Sequence, residues 1–156
     1  MKKIKLLYRF LILINTLLII LLITCLIILV IPDFMYSKAY DDKVFGMFNH
    51  FIIFMRGIIL FIGLAQVQRG LKAVIKQGFF NATSEVKFRK GGLFIIIFGV
   101  LGAIYNTCVR AELKLDIFIN NYIHYFFIIL VGLGLYMLVD FIKNGGKLKE
   151  ENDLTI

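Results

Sequence analysis

The sequence predicts an all-α membrane protein with four transmembrane helices in one bundle and both termini cytoplasmic. Three observations predict it. Hydrophobic residues make up 60% of the 156-residue chain. Four apolar runs are each close to the roughly 20 residues that cross a bilayer core of about 30 Å. The cations between those runs gather on one side. With the spans subtracted, no connection is long enough for a soluble core, so residues 1–156 form one polytopic domain. Any chemistry belongs to the bundle or its rims.

The first span is FLILINTLLIILLITCLIILVI, residues 10–31, which carries no charge and stops at Pro32. Lys2, Lys3, Lys5 and Arg9 ahead of it imitate a signal peptide. The apolar run exceeds a normal signal core and no small-residue cleavage site follows, so it is read as a retained span. LITC at 22–25 is a poor lipoprotein site, because Thr24 is ill-suited before the cysteine and the apolar run continues. The second span covers about 44–68 with Arg56 at its midpoint, and the third 92–109. The fourth covers about 117–142, with His124 in its first half and Asp140 near its end.

Orientation follows from Lys and Arg in the short connections. The amino-terminal segment holds four, residues 69–90 hold six and the tail after 142 holds three, against four on the other side (Lys38, Lys43, Arg110, Lys114). Thirteen against four places both termini in the cytoplasm of a cell membrane. The net charge of +8 is therefore an orientation signal, and no nucleic-acid partner is expected.

Residues 69–91 are read as a basic cytoplasmic hairpin. GLKAVIKQGFF keeps helical spacing and is expected to emerge along the membrane surface; FFNATSEVKFRKGG reads as a turn and a short second helix. Asn81 or Thr83 is the N-cap, Glu85 sits in the first turn, and Phe79, Phe80 and Phe88 are apolar anchors. Lys72, Lys76, Lys87, Arg89 and Lys90 lie on the headgroups, where each cation near anionic lipid contributes about 1 kcal/mol. Asn81-Ala82-Thr83 matches a glycosylation pattern on the wrong side of the membrane. The tail, 143–156, is a solvated end or, if Leu154 and Ile156 alternate as a strand, a docking peptide for a protein partner.

GFFNATSEVKFRKGG at 78–92, the spans that follow and the closing GGKLKEENDLTI at 145–156 resemble a bacterial family of small four-helix membrane proteins, domain of unknown function 2975. The resemblance covers most of the chain from the second span onward, and LKEENDLTI is its most specific part. At KFRKGG the family pattern has leucine where Phe88 stands. The resemblance implies a four-helix membrane fold. Since such proteins often occur beside Cro-type helix-turn-helix regulators, it also implies a regulated accessory role. It implies no activity.

Arg56 is the residue that needs explaining. A cation at mid-bilayer costs from about 2.5 to about 17 kcal/mol, depending on how it is estimated. Positions seven apart share a helix face, so Asn49, Arg56 and Gly63 form one stripe, extended by Gln66, that should face the bundle. Asp140 is roughly 15 Å from mid-bilayer, beyond direct contact. The neutral polar residues nearer Arg56 in depth, toward the outside, are His124, Tyr105, Asn106, Thr24 and Cys25, with Asn49, His50, Asn120 and Asn121 closer to the rim. The candidate site is therefore a polar cluster of Arg56, Asn49, His50, Tyr105, Asn106 and His124, capped by Glu112 and Asp116. It either fixes helix packing through neutral donors and acceptors or holds an anion or lipid phosphate. Gly99, Ala103, Gly132 and Gly134 permit close helix approach.

Enzyme classes lack their motifs. The chain has no H-E-x-x-H, no intramembrane aspartate pair, no nucleophile elbow and no phosphate-cradling loop. Cys25 and Cys108 are not vicinal, so neither a metal site nor thiol-redox chemistry is expected, and no cofactor is. The expected role is a non-enzymatic accessory, sensor or regulatory membrane protein. The alternatives are a small oligomeric transporter or channel subunit with Arg56, His50 and His124 along an anion path, and an immunity-type protein that binds a partner.

Overall fold

In a computed structural model of the chain, residues 2–31, 43–109 and 115–154 are described, without side chains at 43, 109, 115–121 and 153. Four helices follow in order: α1 (Lys2–Val30), α2 (Lys43–Gln77), α3 (Ala82–Val109) and α4 (Leu115–Asp153). All four are long and apolar enough to cross a membrane. The positions of Lys38, Arg110, Glu112 and Lys114 lie outside the described residues, as do the side chains of Asp116, Asn120 and Asn121.

The helices outrun the apolar segments that announce them. α2 has 35 residues, about 52 Å at 1.5 Å per residue, and passes through Arg69, Lys72 and Lys76 without a break. The reason is that Lys, Arg, Gln and Glu are good helix formers, so hydropathy marks the apolar segment and not the end of the hydrogen-bonded ladder. The stop comes at Gly78, which takes φ +88°, a left-handed conformation in which glycine meets no Cβ penalty. Its N–H donates to the Val74 carbonyl at 3.0 Å.

α3 then starts within four residues. The Asn81 side chain accepts from Ser84 N–H at 2.7 Å and donates to the Gly78 carbonyl at 2.6 Å. Asn81 is thus the N-cap, with Glu85 in the first turn, as the sequence suggested. No separate short helix follows: residues 82–91 are the first turns of α3 itself. The expected anchor role of Phe88 is also corrected. Phe88 is 2% exposed and belongs to the core, its ring lying over Gly70, where an added Cβ would stand 2.8 Å from Cε1. Phe80 remains exposed.

Close backbone approaches run only between sequence neighbours, α1 with α2, α2 with α3 and α3 with α4, among the described residues. Glycines set the two tightest seams. Gly63, Gly70 and Gly91 bring α2 against α3, and Gly92, Gly99 and Gly132 bring α3 against α4. All four helices meet through side chains at the end that carries both termini: Leu11, Leu71, Val74, Phe88, Val139 and Ile142 form one buried cluster there. Asn15 donates to Gln68 just above it and couples α1 to α2 with an amide pair.

The described part of the tail is helical to Asp153. α4 continues through Gly145 and Gly146, and the Phe80 ring occupies the space beside Gly145. Phe79, Phe80 and Phe141 stack with centroids 5.4 to 6.2 Å apart. A helical 143–153 does not offer the strand that would add to a partner's sheet; Ile156 lies outside the described residues.

Candidate functional site

The predicted stripe on α2 faces α3. Tyr105 Oη donates to Asn49 Oδ1, Gly63 packs on Phe94 and Ile95, and Arg56 lies between them. Its guanidinium is ringed by aromatic side chains. The Cζ atom is 5.2 Å from the Phe98 centroid, 5.4 Å from Tyr125 and 5.9 Å from Tyr105. Nη2 donates to Tyr125 Oη at 3.3 Å, and Asn106 Nδ2 donates to the same oxygen at 3.1 Å. Tyr125 is therefore the hub through which α2, α3 and α4 are joined.

The arrangement is a substitute for a counter-ion. Each cation–π contact is worth about 0.5–2 kcal/mol according to desolvation, and hydrogen bonds between membrane helices average about 0.6 kcal/mol. Together they are comparable with the lower figure for an arginine in hydrocarbon. The side chain reaches Tyr125 because Gly102 has no Cβ: one added there would collide with Arg56 Nη2 and the Tyr125 ring. Asp140 is exposed and fifteen residues along α4 from Tyr125, about 22 Å away on the helical rise.

Of the six residues expected to cluster, four join this network: Arg56, Asn49, Tyr105 and Asn106. His50 is turned to its own helix, Nδ1 lying 3.2 Å from the Gly46 carbonyl. His124 is exposed and meets Tyr125 edge-on at 5.7 Å between centroids. Adjacent helix positions differ by about 100°, so His124 and Tyr125 cannot face α3 together, and tyrosine takes the inner place. Tyr125, Phe98 and Gly102 were missed by the sequence reading. The signal was present in the α3 stripe Gly92, Gly99, Gly102, Asn106 opposite Tyr125, Ile129, Gly132 and Tyr136 on α4.

Arg56 also lines two clefts, one on each side of α2. One, of about 210 Å³, lies against α1 and includes Leu18, Leu22, Cys25, Gly57 and Phe98. The other, of about 410 Å³, is walled by Phe48, Phe51, Ile52, Met55, Leu101 and Cys108. Cys25 and Cys108 thus belong to different clefts, and both are free thiols. Arg56 Nε is buried and makes no hydrogen bond. Among the described residues, no three His, Cys, Asp or Glu side chains converge on a metal-sized point.

On the predicted surface hairpin, Lys72, Lys76, Arg89 and Lys90 are exposed and Lys87 is half-buried. Arg89 pairs with Glu85 at 2.8 Å across one helical turn, an exposed contact worth a few tenths of a kcal/mol.

Among the described residues, the fold and site together define four helices long and apolar enough to span a membrane, three of which, α2, α3 and α4, are joined at an aromatic-caged arginine. No family model, curated protein or solved structure matches the chain.

Proposed function

We propose that this chain is a non-enzymatic accessory, sensor or regulatory protein of a bacterial cytoplasmic membrane, both termini inside, that binds the acidic head of an amphiphile at Arg56. Its membership of the domain of unknown function 2975 family is part of the same proposal. The observation that carries the reading is the unsatisfied, buried Nε of Arg56 beside an apolar cleft of about 410 Å³. Three rings and one tyrosine hydroxyl hold the guanidinium without neutralising it. A phosphate or carboxylate would supply the missing acceptor and charge, while its apolar chain lies along Phe48, Phe51, Ile52 and Met55.

The test compares wild type with Arg56→Leu, both purified in mild detergent, by native mass spectrometry of retained lipids and anions, with thermal unfolding in parallel. An anionic species held by wild type and lost from a folded Arg56→Leu protein establishes the site. Identical retention with a change in stability alone makes Arg56 a packing residue and ends the proposal.

A further inference from the structure

A third cleft, far from Arg56, opens where the start of α1 lies against the end of α2. It has a volume of about 430 Å³ and is lined by Lys5, Tyr8, Arg9, Ile12, Lys72, Ile75 and Lys76. The two lysines of α2 are one turn apart, and so are Lys5 and Arg9 on α1. Each such like-charged pair costs a few tenths of a kcal/mol, and packing the two helices brings the pairs to one opening. Neither α1 nor α2 contains a single Asp or Glu. Among the described residues none of the four cations enters a salt bridge; Arg89 pairs with Glu85, both on α3. Four positive charges therefore share a concave site whose walls hold no counter-charge.

The remaining lining includes isoleucines, and the α1 surface beyond it is apolar. Ile12 and Ile75 line the cleft beside the four cations. The α1 stripe continues away from it at helical spacing as Ile12, Ile19, Ile23 and Leu26, which are 39 to 52% exposed. A polar mouth at the charged rim of the helices, leading onto an open apolar stripe, has the form of a phospholipid: phosphate above, acyl chains below.

We propose that Lys5, Arg9, Lys72 and Lys76 bind the phosphate headgroup of an anionic phospholipid whose acyl chains run along the α1 stripe. The lipid bridges α1 to α2 at the end where, among the described residues, the Asn15–Gln68 pair is the polar link between them. A lipid is favoured over a soluble anion because the site joins directly to exposed apolar surface. The proposal does not depend on Arg56.

The test uses the full chain in nanodiscs of a zwitterionic phospholipid with graded phosphatidylglycerol, reading lipid retained per chain by native mass spectrometry. Three proteins are compared: wild type, the quadruple variant Lys5→Gln, Arg9→Gln, Lys72→Gln, Lys76→Gln, and a charge-matched control, Lys87→Gln, Lys90→Gln, Lys147→Gln, Lys149→Gln. At about 1 kcal/mol per cation, the cleft variant should bind roughly a hundredfold or more weakly, the control should stay near wild type, and Arg56→Leu should retain this lipid. Equal losses in the cleft variant and the control would reduce the effect to net charge and overturn the site. No loss in either would do the same. Displacement of the lipid by millimolar inorganic phosphate would assign the cleft to a free anion instead and overturn the lipid assignment.

Discussion

Gly102 and Arg56 occupy one crossing point. The guanidinium of α2 passes over α3 at the position where Gly102 lacks a side chain, and a Cβ there would overlap both Nη2 and the Tyr125 ring. The arginine's reach thus depends on a residue that makes no bond to it. Gly102→Ala should destabilise the protein by about 1–3 kcal/mol, the usual range for over-packing. Gly134→Ala, on the same pair of helices but with nothing within 4 Å of the new Cβ, should be neutral or gain up to about 1 kcal/mol from helix propensity. Thermal unfolding of both in one detergent checks the contrast, and equal effects would remove Gly102 from the site.

Tyr125→Phe keeps the ring against Arg56 and deletes the oxygen that receives Nη2 and Asn106 Nδ2. A loss of about 0.6–1.7 kcal/mol is expected. A double-mutant cycle with Arg56→Leu should show coupling of the same order, because removing the donor and the acceptor breaks one bond only once. Strict additivity would mean that the two residues do not interact.

The Asn15–Gln68 pair should behave likewise. Asn15 is 5% exposed, so Gln68→Leu strands its amide and should cost about 1–3 kcal/mol. Asn15→Leu combined with Gln68→Leu should cost clearly less than the two single losses added. Crosslinking between cysteines placed on α1 and α2 provides the structural readout.

Among the described residues Phe88 is the bulkiest fully buried side chain, and it sits on Gly70. Phe88→Ala should cost about 3–5 kcal/mol. A surface anchor of the membrane would instead show a small loss of stability and a larger loss of vesicle binding.

At the cap of α3, Asn81→Ala removes the acceptor for Ser84 N–H, and the N-cap range of about 0.5–2 kcal/mol applies. Asn81→Ser should recover most of it. Amide hydrogen exchange at residues 83–85 would locate the change at the cap.

Much of this architecture was legible in the sequence because its cause is local. Apolar runs of span length mark the helices, Gly78 and Asn81 mark the turn, and seven-residue spacing places Asn49, Arg56 and Gly63 on the face that meets α3. Helix ends were less legible. Lys, Arg and Glu continue a helix as readily as they leave an apolar environment, so 69–77 and 82–91 are continuous with α2 and α3 rather than separate elements.

What the sequence determined by itself was composition and periodicity: four apolar helices, a glycine turn and an unpaired cation in the middle of one of them. Which residues answer that cation was decided only by the tertiary structure. Tyr125 rather than its neighbour His124 turns inward because the rotation of α4 is fixed by Gly92 and Gly132 fitting against each other about two turns along the helix. The partnership of Arg56 with Phe98, Tyr105 and Tyr125 likewise exists only when α3 approaches closely enough, at Gly102, for a side chain of α2 to reach α4. The helix period is written in consecutive residues, but the approach and rotation of helices are set by contacts between residues tens of positions apart.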